Sequence, residues 1–308
     1  MIDIVNLTKR YGAFTALDQM NLTIEKGTVF GVVGPNGAGK STTFSILATL
    51  LSPTSGTAYI NGVDVTQNPA KVRELIGYMP DFFGVYDTFK ASEYLDFFGA
   101  SYGIPAKERE ALIPQLLELV NLSNKKDTYV DLLSRGMKQR LCLARCLIHD
   151  PEVLILDEPA SGLDPRARVE MRDILKELKS MGKTILISSH ILPELSEMCD
   201  ALGVIENGKL VATGSVASIQ QQLRANKVLI VSVKSNVDAA LRFFEEHPLA
   251  VEVHQNEVGE IHFGFNGNEE EQTLLLKEAL QEDLTILSFK EEQTDLEDIF
   301  MEITKGVE

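Results

Sequence analysis

The chain has 308 residues, 44% of them hydrophobic, a composition typical of a globular protein with a sizeable core and with one large and one smaller domain. No apolar run approaches the ~20 residues of a membrane-spanning helix, and the start of the chain lacks the apolar stretch of a signal peptide, so we expect a cytosolic protein. The three cysteines (Cys142, Cys146 and Cys199) give no disulfide framework. The net charge of −16 argues against nucleic acid as the main partner.

The acidic charge is concentrated at the C-terminal end of the chain. Residues 225–308 contain 6 basic and 19 acidic side chains, a net charge of −13, whereas residues 1–224 carry a net charge of −3. A step of this size indicates a boundary between two differently built segments. We therefore predict a first domain over residues 1–222 and an acidic accessory domain over residues 226–308.

A glycine-rich loop follows a predicted buried strand at residues 28–33 and leads into a predicted helix at residues 41–51. Glycines allow consecutive backbone N–H groups to converge on phosphate oxygens, and the helix N-terminus adds a partial positive charge at the same place. We expect Lys40 to reach the β- and γ-phosphates of a nucleotide and the Ser41 hydroxyl to ligate Mg²⁺. The loop consists of Gly34, Pro35, Asn36, Gly37, Ala38, Gly39, Lys40, Ser41 and Thr42.

Strands and helices alternate through the rest of the first domain, with one interruption. Predicted strands at 153–156 and 184–187 flank a predicted helix at 167–180, a βαβ pattern typical of a mostly parallel sheet. Between about residues 89 and 148 the strand pattern is missing, so we predict an α/β fold with a helical insertion. A tight turn at 206–209 predicts a hairpin. The predicted helices of the insertion cover residues 91–102, 106–120 and 136–148.

Two carboxylates end the strand at residues 153–156. Parallel α/β sheets bind ligands at the carboxyl ends of their strands, so this strand should deliver Asp157 and Glu158 beside the glycine-rich loop. We expect Asp157 to hold Mg²⁺ through water, and Glu158 to act as the general base on an attacking water. A solvated strand end is the alternative for an isolated Asp-Glu pair, but the glycine-rich loop upstream favours the site.

Three further motifs surround that strand. Leu-Ser-Arg-Gly-Met-Lys-Gln-Arg at residues 133–140 precedes it, Ser-Gly-Leu-Asp at 161–164 follows it, and His190 ends the next strand. With the glycine-rich loop, this set resembles the nucleotide-binding subunit of ATP-binding-cassette (ABC) transporters over residues 1 to about 220. The variant Leu-Ser-Arg-Gly-Met, in place of the family's Leu-Ser-Gly-Gly-Gln, is similar to the ABC-2-type exporter branch. It adds the cation of Arg135 and loses an amide at Met137.

The resemblance implies a site shared between two copies of the chain. Ser134 and the backbone N–H of Gly136 would cap the γ-phosphate of an ATP molecule bound by the partner, and Asp164 would belong to a loop that crosses the dimer interface. His190 would contact the γ-phosphate and orient the attacking water. Tyr11 stands where the family places an aromatic ring on adenine, with an ordinary core or surface tyrosine as the alternative.

One position departs from the family more sharply. The family places Gln after a Gly-Tyr-x-Pro turn, where its amide touches Mg²⁺, and this chain has Asp81 there. A carboxylate oxygen is a hard ligand suited to Mg²⁺, so Asp81 is a candidate metal ligand, and a loop carboxylate that points to solvent is the alternative. The apolar run at 82–86 follows directly. It packs the helical insertion onto the core, receives a helix of a membrane subunit, as this region does in the family, or does both.

The second domain has its own alternation. Strands are predicted at 228–233, 250–258, 260–267 and 284–290, with helices at 237–246 and 270–281. This βαββαβ order is the ferredoxin-like split. A final helix predicted at 295–304 is similar to tails of the exporter branch.

The resemblance implies an ATPase subunit that uses ATP and Mg²⁺, dimerises around two ATP molecules, and powers transport, in the direction of export. Such a subunit works at the cytoplasmic face of the membrane through a separately encoded integral-membrane permease. Two alternatives stay open. One is an ABC ATPase of translation or DNA repair with no permease, and the other is a regulatory module whose hydrolysis is vestigial. The intact Lys40, Asp157, Glu158 and His190 argue against the latter.

Overall fold

The computed structural model of the chain describes residues 1–82, 84, 86, 88–223, 227–256, 259–282 and 284–291. The chain divides into two compact units, Met1–Val216 and Ala217–Glu308. Among the described residues, no helix combines the length and the apolar character that crossing a bilayer requires.

The first unit begins with an antiparallel layer and the glycine-rich loop. Its elements are β1 (Ile2–Tyr11), β2 (Phe14–Ile24), β3 (Val29–Val33), α1 (Lys40–Leu47), β4 (Ser55–Ile60), β5 (Val63–Asp64), α2 (Pro69–Leu75) and β6 (Ile76–Met79). Strands β2, β1, β4 and β5 form a four-stranded antiparallel sheet in that order.

A helical insertion follows β6, as predicted. It contains α3 (Ala91–Ser101), α4 (Ala106–Leu119) and α5 (Arg135–Leu147), with short 3₁₀ turns at Ser123–Lys125 and Val130–Leu132. The chain then returns to the sheet through β7 (Val153–Leu156), α6 (Pro165–Ser180), β8 (Thr184–Ser189), α7 (Leu192–Met198), β9 (Ala201–Glu206) and β10 (Lys209–Ser215).

The central sheet positions the candidate site. Its strand order is β10-β9-β3-β8-β7-β6, and every neighbouring pair is parallel except the β9–β10 hairpin. Every residue of β3, β7 and β8 is buried, because these strands are covered on both faces. The carboxyl ends of β3, β7 and β8 therefore meet at one edge, which confirms the predicted mostly parallel sheet.

The helix after the glycine-rich loop is shorter than predicted. The prediction extended it to residue 51, but α1 ends at Leu47. Thr49 adopts a left-handed conformation with φ of +61°, and the N–H of Leu50 then turns back to the carbonyl of Ser45 at 2.9 Å. This closure satisfies a carbonyl at the end of the helix and leaves Leu50 67% exposed rather than on the buried face.

Helix α8 (Val216–Leu223) lies in the sequence where the two units divide. The second unit contains β11 (Lys227–Val233), α9 (Val237–Glu246), β12 (Ala250–Gln255), β13 (Ile261–Phe265), α10 (Glu269–Gln281) and β14 (Ile286–Glu291). The sheet order is β12-β13-β11-β14, and all neighbours are antiparallel. This order confirms the predicted βαββαβ split. The helix predicted at 295–304 lies outside the described residues.

Candidate functional site

The site is a cavity at the edge where β3, β7 and β8 end. It has a volume of about 400 Å³, and most of the glycine-rich loop lines it together with Asp81, Glu158 and His190. The predicted aromatic residue Tyr11 also lines the cavity and is half-exposed. Residues from five separate stretches of sequence therefore open into one space, which is the arrangement expected at the strand ends of an α/β sheet.

Two glycines of the loop occupy positions that no larger residue fits. A Cβ atom at Gly34 would lie 2.3 Å from the backbone oxygen of Ile205. Gly39 immediately precedes α1 with φ of +110°, and a Cβ atom there would approach the backbone oxygen of Ala16 to 2.8 Å. These constraints bring the loop backbone close to its neighbours and orient the N-terminus of α1 toward the cavity.

Lys40 is the buried cation of the site, with 6% of its surface exposed. Its Nζ donates to the carbonyl oxygens of Gly34 at 2.6 Å and Pro35 at 3.3 Å, and lies 3.7 Å from Oε1 of Glu158. Burial lowers the pKa of Lys40, and the carboxylates of Glu158, Asp157 and Asp81 oppose that shift. The positive charge is thus held inside the loop, where an anionic ligand would meet it.

Asp157 is 2% exposed and is oriented by a serine on the neighbouring strand. The hydroxyl of Ser188 donates to Oδ1 of Asp157 at 2.5 Å and accepts from the backbone N–H of Glu158 at 2.8 Å. Ser188 was not predicted from the sequence. The available signal was a polar residue near the end of a buried strand, one strand away from Asp157.

Glu158 adopts a backbone conformation that is rare for a residue other than glycine, with φ of +52°. Holding such a residue costs on the order of 1–3 kcal/mol, and strain of this kind concentrates at functional sites. Its Oε2 lies 2.9 Å from Nδ1 of His190, while its Oε1 faces Lys40. The side chain of His190 is 45% exposed, so the pair stands at the mouth of the cavity.

Tyr11 is accompanied by a second aromatic ring, which was not predicted from the sequence. Phe14 is 62% exposed and also lines the cavity, and the Nζ of Lys9 lies 5.1 Å from the centroid of the Tyr11 ring. Both rings border the turn between β1 and β2, so they offer apolar faces at the end of the cavity. Asp81 is exposed, lies in the same cavity, and follows β6.

Ser134, Gly136 and Asp164 lie outside this cavity. Ser134 caps α5 by accepting from the N–H of Met137 at 3.3 Å, and Asp164 caps α6 by accepting from the N–H of Ala167 at 2.9 Å. Both side chains are exposed. The structure therefore separates these three predicted residues from the loop of their own chain.

The segment 161–164 is held against the first turn of α5. The guanidinium of Arg135 occupies the space beside Gly162, where a Cβ atom would lie 2.6 Å from Cζ, and Gly162 has φ of +66°. The Nε2 of Gln139 donates to the carbonyl of Ser161 at 3.1 Å. The unusual Arg135 of this chain thus packs on a neighbouring motif of the same chain.

Known proteins are similar to this chain in both of its units. Residues 17–161 match the family described as ABC transporter, and residues 214–304 match the ATP-binding protein DrrA1-3-like, C-terminal domain. The linearmycin resistance ATP-binding protein LnrL of Bacillus subtilis (strain 168) is 32% identical over 306 residues, which is 99% of this chain and 98% of the relative. The chain belongs to the ATP-binding subunits of ABC transporters.

Two further similar proteins support the same family. The Nod factor export ATP-binding protein I of Burkholderia lata is 36% identical over 304 residues, 98% of this chain and 96% of the relative. A solved ATP-binding subunit of an ABC transporter is 30% identical, with a TM-score of 0.65 over 72% of this chain and 92% of that one. This ABC subunit is a transport ATPase with an ABC ATPase core, as predicted. These relatives give no support to the alternative of translation or DNA repair.

Proposed function

We propose that this ABC subunit binds Mg-ATP in the cavity of the glycine-rich loop and hydrolyses it with Glu158 as the general base. The contact between Glu158 and His190 carries the proposal, because it holds a carboxylate and an imidazole beside the buried Lys40. Glu158 accepts a proton from the attacking water, and His190 orients that water at the γ-phosphate. Lys40 and the loop N–H groups stabilise charge that develops on the phosphate oxygens.

The remaining residues of the glycine-rich loop, together with Tyr11 and Phe14, bind the nucleotide and take no part in the chemical step. Backbone N–H groups along residues 34–42 and the N-terminus of α1 favour the phosphate anions. We assign Tyr11 to stacking on the adenine, because its ring lines the end of the cavity and is half-exposed. Phe14 lies beside it and adds a second apolar face.

Ser41, Asp157 and Asp81 would hold the Mg²⁺. The donor chemistry fits, since a hydroxyl and two carboxylates supply the hard oxygens that Mg²⁺ prefers, and Mg²⁺ is usually completed by substrate phosphates. Within the described part of the chain no three His, Cys, Asp or Glu side chains form a metal cluster of their own. The ion, when bound, neutralises phosphate charge, and Ser188 keeps the Asp157 carboxylate in place.

The working unit is a homodimer with two shared sites. Ser134, Gly136 and Asp164 lie outside the cavity of their own chain, Ser134 and Asp164 are exposed, and the first turn of α5 follows Ser134 directly. A second copy would bring these groups to the γ-phosphate, with Asp164 in the interface. A related cassette, 25% identical with a TM-score of 0.64, is described as dimeric and bound to ADP and Pi.

A pair of variants at Ser134 tests the shared site. Asp and Asn both cap helices well, so Ser134→Asp and Ser134→Asn preserve α5 and differ only in charge. We expect Ser134→Asp to reduce hydrolysis by more than about tenfold, because a carboxylate facing a phosphate repels it by several kcal/mol. ATP binding to the monomer should stay unchanged in both variants, as measured by calorimetry. Equal hydrolysis by the two variants contradicts the capping role.

Transport requires a membrane partner. We propose that a permease docks on the helical insertion and that the complex of the two works as an exporter. Phe82 is 90% exposed, and Tyr86 packs on Phe89 and Phe97 with ring centroids 5.4 Å apart in each pair. Phe83 and Val85 of the same apolar run lie outside the described residues. The names of the relatives support export, since they include Nod factor export and linearmycin resistance. The subunit then works at the cytoplasmic face of the membrane.

Phe82→Glu tests this docking surface. Because Phe82 is almost fully exposed, the change should leave folding and the ATPase activity of the isolated subunit unchanged. We expect it to abolish co-purification with a membrane protein encoded by a neighbouring gene. Leu50→Glu, at another exposed apolar residue, is the matched control and should co-purify as the wild type does. Retention of the membrane protein by Phe82→Glu would place the docking surface elsewhere.

A further inference from the structure

The loop that carries His190 is joined to the segment 161–164 by a chain of polar side chains. Arg168, in the first turn of α6, places its Nε 3.0 Å from Oε1 of Glu194 on α7. Its Nη2 also lies 3.5 Å from the carbonyl oxygen of Leu163. One guanidinium therefore contacts both the segment 161–164 and the helix that follows His190.

Glu194 is linked to the backbone around His190 through the hydroxyl of Ser189. It is 7% exposed, and its Oε2 accepts from the hydroxyl of Ser189 at 3.3 Å. The same hydroxyl accepts from the N–H of Ile191 at 3.0 Å, so it closes a turn across residue 190. The direction in which the His190 side chain leaves the backbone is fixed by this turn, and its Nδ1 lies 2.9 Å from Glu158.

Stability alone does not account for this ion pair. The Arg168 side chain is 40% exposed and that of Glu194 is 7% exposed, and ion pairs that reach solvent contribute only about 0–1 kcal/mol to stability. Each member of the pair makes a second contact, Arg168 to the carbonyl oxygen of Leu163 and Glu194 to the hydroxyl of Ser189, so the ion pair links the two elements. The two elements are the segment 161–164, whose Ser161 lines the cavity, and the start of α7, which follows His190 at the mouth of the cavity.

We propose that Arg168 and Glu194 are positioning residues, which make the place of the His190 ring depend on the segment 161–164. The inference rests on the proposed function, in which His190 orients the attacking water and Asp164 lies in the dimer interface. Docking of a second copy against 161–164 would then be transmitted through Arg168, Glu194 and Ser189 to His190. Hydrolysis would thereby depend on a correctly seated partner.

The test compares two arginines of the same helical turn. Arg168→Met removes the contact to Glu194, whereas Arg166→Met removes an equal charge from a side chain that is 90% exposed and pairs only with Glu170 among the described ion pairs. We expect Arg168→Met to lower kcat by about tenfold or more, since small misplacements of catalytic groups have large effects. The ATP dissociation constant should stay within about twofold. Arg166→Met should keep the wild-type kcat.

A second readout follows His190 without relying on activity. In protein labelled with ¹³C-histidine, His190→Ala assigns the His190 resonance, and the other four of the five histidines serve as internal references. Arg168→Met should shift the His190 resonance and leave the references in place, and Arg166→Met should shift none. Arg168→Lys keeps the positive charge but replaces the fork that contacts both Leu163 and Glu194 with one nitrogen, so it should restore the rate only in part.

A double variant separates positioning from folding. Arg168→Met leaves Glu194 as an unpaired buried carboxylate, so Arg168→Met with Glu194→Gln removes both charges and keeps an acceptor for Ser189. We expect this double variant to recover thermal stability and to remain slow. Full recovery of kcat together with stability overturns the proposal, because the pair would then be structural.

The His190→Ala background separates this inference from the proposed function. Because coupled residues are non-additive, Arg168→Met should cause no further loss in that background. Additive losses overturn the positioning role and leave the role of His190 intact. Wild-type hydrolysis by His190→Ala itself would instead overturn the proposed function of His190.

Discussion

Glu158→Gln should abolish ATP turnover and leave the subunit as a stable dimer in the presence of Mg-ATP. The amide has the size of the carboxylate, so it fits the same strained backbone position, but it cannot take a proton from water. General-base catalysis contributes about 10²–10⁴-fold, and we expect a loss of that order in kcat. ATP should still bind, since Lys40 and the glycine-rich loop are unchanged, and the capping groups of the partner should still close on it.

The measurement pairs a phosphate-release assay with light scattering after size exclusion, with and without Mg-ATP. Wild type should show a transient dimer, because hydrolysis removes the γ-phosphate that bridges the copies, whereas Glu158→Gln should remain dimeric. Glu152→Gln, at an exposed carboxylate that pairs with Lys26, is the matched control. Wild-type turnover in Glu158→Gln would remove Glu158 from the mechanism, and a monomer with bound ATP would contradict the shared site.

The strands and helices that could be predicted from the sequence are those with a clear local pattern of hydrophobic residues. The fully apolar runs of β3 and β7 predict strands buried on both faces, and the structure places both inside the parallel sheet. The alternation in residues 227–291 likewise predicts the strand and helix order of the second unit. Each of these signals depends only on residues near one another in the sequence.

The end of α1 was not predictable in the same way. Leu50 and Leu51 continue the apolar spacing of the helix, yet the left-handed Thr49 ends it before them. Thr has no strong local signal for that conformation. The carbonyl of Ser45 receives the N–H groups of both Leu50 and Leu51, so the closure depends on how the whole turn folds back.

Some features of the candidate site could likewise be predicted from the sequence, and others could not. Lys40 was predicted from the motif of the glycine-rich loop, Glu158 from its place at the end of a buried strand downstream of that loop, and His190 from the resemblance to the ABC family. Ser188 was missed, since its role follows from strand register. Leu156 pairs with Ile187, which places the next residues, Asp157 and Ser188, side by side. The strain at Glu158 was also missed, because no sequence pattern marks a non-glycine residue with positive φ.

Lys40→Met should weaken Mg-ATP binding by about tenfold to hundredfold, since charge-assisted hydrogen bonds contribute about 1.5–3 kcal/mol. Met has a similar length and no charge, so the variant removes the buried cation without opening a large gap. The variant should not be less stable than the wild type, because the ammonium of Lys40, at 6% exposure, is desolvated at a free-energy cost in the nucleotide-free protein. Calorimetric titration with Mg-ATP and a thermal melt measure the two quantities, and Lys26→Met, at a largely exposed lysine, is the matched control.

The pH dependence of binding identifies Lys40 as the source of that loss. Burial lowers the pKa of Lys40 in the free site, and phosphate anions favour the ammonium form and so raise the pKa again. Binding therefore takes up a proton, and the affinity of the wild type should fall as the pH rises through the lowered pKa of the free site. Lys40→Met should lack this alkaline decline. A variant that binds weakly but keeps the same decline would show that another group carries it, and unchanged affinity would remove Lys40 from the phosphate site.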